Sequence, residues 1–221
     1  MRKSKSLQRF LLVALCLLTV FFSKAQLPSF ELYVANESQP DSKTYQFDVY
    51  LLSTGTMPLE LANIQFGLGF DTSIANGGIL TFSYVKGSSQ LNANQAPINV
   101  SITKPGDAFL INDVSYRFLN QLARVGPGPG NATIIGSTKA KCDSPGTRIG
   151  TYIIKNTEDF KSNSTCKHFF STVNGQGRSR TIVNGYIEKR NTTIDGKLFS
   201  YNTKKSCDDN LILNPSKKKK K

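Results

Sequence analysis

The residue best equipped for chemistry is His168, the single histidine of the chain, two positions after Cys166. In an extended segment Cys166, His168 and Phe170 share one face and Phe169 takes the other. A Cys–His nucleophile needs two side chains converging on a cleft and a third group orienting the base. Neighbours on one strand face do not converge, so these residues read as packing. Glycoside hydrolysis needs two carboxylates opposed across a sugar. Glu31, Glu37, Glu60, Glu158 and Glu188 are scattered, and none stands in such a setting. The chain has no Gly-x-Ser-x-Gly elbow, Walker loop or His-Glu-x-x-His helix. No catalytic residue and no cofactor site are assigned, and the expectation is a protein that is not an enzyme.

Metal and covalent chemistry fare no better. Asp107 with Asp113, and Asp208 with Asp209, could offer oxygen ligands to calcium, but they lack the closely spaced donors and glycine turn of a dedicated loop. They read as surface acids, and no metal site is expected. Beyond Cys16, the cysteines are Cys142, Cys166 and Cys207. Three thiols allow at most one intramolecular disulfide, and no Cys-x-x-Cys pair suggests zinc or redox chemistry. Asn-x-Ser/Thr sequons occur at Asn36, Asn99, Asn131, Asn163 and Asn191, in line with chance for so Asn-, Ser- and Thr-rich a chain. Aromatic rings are the informative case for sugar binding, because a flat ring stacks on a pyranose face. Tryptophan is absent; Tyr33, Tyr50, Tyr84, Tyr116, Tyr152 and Tyr186 are the candidates for an exposed position on strands. The favoured reading is that tyrosines on an outer sheet face pair across strands. The ligand-binding residues stay unassigned.

The elements that must position these residues are strands. Thr44–Leu52 (TYQFDVYLL) alternates Tyr45, Phe47, Val49 and Leu51 with Thr44, Gln46, Asp48 and Tyr50, the period of a strand with one buried face. Leu59–Phe70 repeats the pattern through Leu61, Ile64, Phe66, Leu68 and Phe70, and its phase slips by one near Ala62-Asn63, which predicts a bulge. Shorter strand signals cover 30–34, 79–86, 98–103, 108–112, 115–124, 133–137, 148–155, 167–173 and 180–187, punctuated by glycine and asparagine turns. Val125–Asn131 (VGPGPGN) cannot be regular structure, because its prolines and glycines fix or free the backbone at the wrong positions. Only 57–63 and 114–122 could pass as helical. Short strands without a βαβ rhythm predict an all-β fold, an antiparallel jelly-roll β-sandwich of about nine strands.

The two ends differ from the middle. A basic stretch through Arg9 precedes the uncharged thirteen-residue run Phe10–Phe22, and Ser23-Lys24-Ala25 then places small residues where a signal peptidase reads. Residues 1–25 are therefore expected to be a signal peptide cleaved between Ala25 and Gln26, too short in its apolar part to span a bilayer. Residues 26–201 form the expected β-sandwich domain, with 202–221 a linker and poly-lysine tail. The formal charge of +13 suggests nucleic acid until it is placed along the chain. Arg2, Lys3, Lys5, Arg9, Lys24 and Lys217–Lys221 carry ten of those charges, leaving +3 on residues 26–216. A phosphate-binding surface needs its cations on the folded face, so specific nucleic-acid binding is not expected.

Four segments carry a family resemblance: Tyr45–Gly69, Leu119–Ile135, Pro145–Asn156 and Gly175–Ile187. In this order they resemble exported Bacteroidetes proteins that begin with a cohesin-like or carbohydrate-binding-module-like β-sandwich and end in a type IX secretion sorting domain. The likeness covers most of residues 30–201. It implies a jelly roll and a secreted or cell-surface location, and it names no ligand, since relatives of this fold bind polysaccharides or dockerin-like proteins. No sorting domain appears before Lys221; the five terminal lysines read more as a sequencing or frame artefact, which would make the true protein longer, than as a basic solvated tail. The expected role is a non-catalytic extracellular recognition module for carbohydrate or a cell-surface partner. The alternative is a structural spacer or adhesin segment with no ligand of its own.

Overall fold

The computed structural model describes residues 27–98, 100–102, 108–124, 126–137, 146–161, 168–175 and 177–199. Residues 1–26, with the expected Ala25–Gln26 cleavage junction, all four cysteines, Asp107, Asp208, Asp209, Asn99, Asn163 and the terminal lysines lie outside them.

Thirteen strands make up the described residues. They are β1 (Phe30–Asp41), β2 (Thr44–Ser53), β3 (Leu59–Asp71), β4 (Leu80–Tyr84), β5 (Val100–Ile102), β6 (Phe109–Ile111), β7 (Val114–Gln121), β8 (Ile134–Ile135), β9 (Thr147–Asn156), β10 (His168–Phe170), β11 (Ile182–Ile187), β12 (Arg190–Thr193) and β13 (Gly196–Leu198). They form an all-β sandwich. One sheet runs β13-β1-β2-β9-β4; the other runs β12-β11-β3-β7-β5, with β8 and β10 paired to β3 and β6 paired to β7. Every pairing is antiparallel except β1 with β13. The chain crosses repeatedly between sheets, as a jelly roll does.

The alternation read from the sequence selects the buried faces. Phe47, Val49 and Leu51 of β2 meet Leu61, Ile64, Phe66, Leu68 and Phe70 of β3 in one core. Phe47 packs its ring on Tyr152 at 5.7 Å and on Phe70 at 5.5 Å. The bulge expected at Ala62-Asn63 is present: Asn184 pairs with Asn63, and the next residue, Gly185, pairs with Leu61. Without that slip, Leu61 and Phe66 would lie on opposite faces. The stretches 57–63 and 114–122 are not helical, because their apolar residues pack as the ends of β3 and β7. The glycine-proline loop after β7 is irregular, as expected. Glu60 Oε1 tethers it by accepting the backbone N–H of Gly130 at 2.5 Å and of Ala132 at 3.3 Å.

Candidate recognition surface

His168 sits where its alternation placed it, facing inward opposite Phe70 while Phe169 faces out. Its imidazole is buried, 6.0 Å from the Phe70 ring, with Nε2 3.4 Å from Glu37 Oε1. That contact joins the two sheets, and a bulge in β1 makes it. Ala35 pairs with Asp48 and Ser38 with Gln46, so Asn36 and Glu37 together oppose Phe47. Asn36 takes up the left-handed conformation (φ 53°) at the bulge, which redirects both side chains. Asn36 reaches the outer face, and Glu37 turns inward to His168.

The remaining acids stay apart from this pair and from one another. Glu31 faces Leu52 across β1 and β2, Glu158 is exposed after β9, and Glu188 lies in a turn. Asp113 likewise sits in the turn before β7. Among the described residues no group of three His, Cys, Asp or Glu side chains could hold a metal ion.

The outer face of the five-stranded sheet is closed. Asp48 is buried there, accepting Thr151 Oγ1–H at 2.5 Å and Asn36 Nδ2–H at 2.8 Å, with the half-buried Arg148 guanidinium at 3.6 Å. Asn36 also donates to the Tyr50 hydroxyl at 3.3 Å. Tyr33 and Tyr50, cross-strand partners, stack at 5.7 Å and 14° over Leu52, with Phe199 packed alongside. They are only 4% and 6% exposed. Burial raises both phenol pKa values; Tyr50 and then Glu31 push Tyr33 up further, and Asp48 pushes Tyr50 up further.

The tyrosines expected on the surface are therefore not a platform. Tyr152 is a correction outright: it is wholly inside the core, and burial lifts its pKa well above the usual phenol value. A bulge at Ile149 explains this, because Val49 pairs with Gly150 but Tyr50 with Arg148. The slip turns both Ile149 and Tyr152 inward. Tyr84 leans on Tyr152 at 5.8 Å, and Tyr186 is half-buried beside Gly126. Tyr116 alone joins a larger outward-facing aromatic group.

That group lies on the second sheet. Phe109, Tyr116, Phe118 and Phe169 gather over two glycines of β3, Gly67 and Gly69, on outward positions opposite Asn120 and Phe118. A Cβ on Gly69 would stand 2.8 Å from both Phe118 and Phe169, and one on Gly67 would strike the Ser179 carbonyl. The glycines are therefore the floor on which the rings and the 174–181 loop rest. Asn120 fastens that loop, donating Nδ2–H to the Gly177 carbonyl at 2.7 Å and accepting Ser179 N–H at 2.8 Å. Tyr116 meets Phe169 at 5.0 Å and 88°, Phe118 meets Phe169 at 89°, and Phe109 meets Phe118 at 84°. Arg178 lies over this edge-to-face cluster, its guanidinium 4.7 Å from the Phe109 centroid and 5.9 Å from that of Phe118. Phe118 is fully buried; Phe109, Ile111, Val114, Tyr116 and Phe169 remain half-exposed as a row. Sequence reasoning missed this surface, although the outward Gly67 and Gly69 were its signal.

No protein-family model matches the chain, and no curated protein does. Solved structures similar to it include the seventh ScaB type I cohesin from Pseudobacteroides cellulosolvens, at 11% identity and TM-score 0.36 over 76% of this chain and 86% of that one. A cohesin module of a Clostridium perfringens family 33 glycoside hydrolase is similar at 8% identity and TM-score 0.33, over 80% and 95% of the two chains. The second type II cohesin module of the ScaA scaffoldin of Acetivibrio cellulolyticus gives 10% identity and TM-score 0.33, over 81% and 95%. At these identities the likeness concerns the fold alone. No helix among the described residues is long and apolar enough to cross a membrane.

Proposed function

We propose that the chain is a non-catalytic recognition module acting outside the cell, and that its partner is a protein. One observation carries the choice of a protein over a sugar. The closely stacked pair on an outer face, Tyr33 and Tyr50, is buried, whereas on the second sheet the half-exposed Tyr116 and Phe169 stand edge to face at 88° and Phe109 stands at 84° to the buried Phe118. A pyranose needs a flat, open ring surface, and steeply tilted rings do not offer one. An apolar row flanked by an arginine has instead the composition of a protein-interface centre, where aromatic side chains and Arg are enriched. Export supports the location: residues 1–25 have the three-part order of a signal peptide, with cleavage placed between Ala25 and Gln26.

The test presents the mature protein to two materials. One is a panel of soluble polysaccharides in affinity electrophoresis, and the other is surface protein shaved from the source cells and immobilised. The expected result is unchanged mobility with every polysaccharide, and saturable retention on the protein material that protease treatment removes. A mobility shift with a polysaccharide, together with no protease-sensitive retention, would overturn the choice of partner.

A further inference from the structure

The short strand β6, Phe109-Leu110-Ile111, is paired on one side to β7 and to no other strand among the described residues. Its hairpin turns through Asn112 and Asp113, both at positive φ (49° and 63°), a two-residue primed turn that fixes the register. In such a hairpin the pair flanking the turn, Ile111 and Val114, exchanges ladder bonds and the next pair does not. The Leu110 N–H and C=O therefore point away from β7, and the Leu110 side chain is 73% exposed. Three other edges of the sandwich are blunted in ways that discourage strand addition. Arg190 stands on β12 and Lys197 on β13, and on β4 the Leu80 carbonyl accepts Arg117 Nη1–H at 2.8 Å. β6 carries no charge, no proline and no bulge.

A cation waits beside this edge. Arg178 covers the outward ring of Phe109. Its Nε is buried and meets no acceptor, and no carboxylate lies within ion-pair distance of it among the described residues. A guanidinium held against aromatic faces is poorly hydrated, which strengthens its pairing with an arriving carboxylate.

We propose that β6 is a docking edge for an extended segment of a partner protein, which adds as a strand at Leu110 and delivers an Asp or Glu carboxylate to Arg178. This rests on the protein-recognition reading and deepens it. The free backbone groups of the edge select an extended chain, since main-chain bonding is what strand addition uses. The outward Phe109 and Ile111 select apolar side chains at alternate positions, and Arg178 selects the acid. In a second copy the Phe109-Leu110-Ile111 strand carries no carboxylate and the adjoining Asp113 lies in the turn, off the strand, so the occupant that fits is an acid-bearing strand of a different protein.

The experiment pans a displayed library of random linear twelve-residue peptides against the whole mature chain, and measures the enriched peptides on Leu110→Pro and Arg178→Gln. Leu110→Pro removes the outward N–H, and because that group makes no bond to β7 the hairpin should persist; thermal unfolding checks that it does. Arg178→Gln leaves the backbone untouched and serves if the proline variant does not fold. The expected result is enrichment of alternating apolar peptides containing Asp or Glu, each variant weakening them about tenfold or more, Arg178→Gln by losing a charge-assisted contact and Leu110→Pro by losing a main-chain bond. Failure to enrich any peptide, or enriched peptides that bind Arg178→Gln as well as wild type, would overturn the proposal. So would a concentration-dependent dimer abolished by Leu110→Pro, which would make a second copy the occupant. Peptides binding elsewhere on the module would sink this site and leave the recognition reading standing, whereas polysaccharide binding would strike the reading itself.

Discussion

Replacing Phe47 with alanine should destabilise the sandwich by about 3–5 kcal/mol, the usual cost of emptying a phenylalanine site in a core. Phe47 is fully buried at the centre of β2, with the Tyr152, Phe70 and Tyr45 rings 5.7, 5.5 and 6.0 Å away. Truncation to alanine withdraws on the order of 100–130 Å² of apolar surface from the core, or roughly 3 kcal/mol at about 25 cal/mol per Å². Lost ring–ring contacts add about 0.5–1.5 kcal/mol, and three rigid aromatic neighbours allow little collapse into the space. The neighbouring Gln46 lies on the opposite face of the strand, so Gln46→Ala should stay within about 0.5 kcal/mol. Urea unfolding of both variants, followed by circular dichroism, supplies the comparison, with matching slopes confirming that midpoints report stability. A Phe47→Ala loss under about 1 kcal/mol, or a larger loss at Gln46, would refute the assignment of faces on which the fold reading depends.

Gly69→Ala should destabilise the protein by about 1–3 kcal/mol, the range for overpacking, because the new methyl would press on Phe118 and Phe169; a melting temperature equal to wild type would show that the rings do not rest on β3. In a spectrophotometric alkaline titration Tyr33, Tyr50 and Tyr152 should ionise above the ordinary phenol range, since burial raises all three. Their folded pKa values exceed the unfolded value near 10, so the protonated phenols contribute stability that is intact below about pH 10 and lost as pH rises above it. Ionisation of all the tyrosines within the ordinary phenol range without unfolding would contradict this. Deleting Lys217–Lys221 should abolish most binding to heparin or DNA and leave stability nearly unchanged, because only +3 remains on residues 26–216; retained affinity at physiological salt would reveal a basic face on the sandwich.

The sequence disclosed the core-facing side of the long strands, where apolar residues recur at every second position. In β2 the alternation of Phe47, Val49 and Leu51 survives intact, and in β3 the slipped phase announced its own bulge at Ala62. It failed where both faces are covered or where a turn uses unexpected residues. Asp48, Tyr50 and Leu52 look solvent-facing by period, yet are buried on the outer face by a cross-strand aromatic pair and a hydrogen-bonded carboxylate. Tyr152 was hidden by the Ile149 bulge, which no change of composition marks. β12 went unread because the hairpin joining it to β11 turns through Glu188 and Lys189, both at positive φ, where glycine or asparagine is the usual signal. The candidate surface was illegible for a different reason. Phe109, Phe118 and Phe169 are far apart in sequence, and only the pairing of β6, β7 and β10 around β3 brings them together.

The central claim, that this module recognises a protein through the arginine-flanked face of its second sheet, is tested most directly by amide hydrogen exchange with and without bound partner. The account predicts that protection on binding concentrates in residues 108–116 and 177–179, led by the Leu110 amide, which exchanges freely in the unbound chain. Protection confined to the other sheet, over 81–90 and the outer face around Asp48, would contradict it.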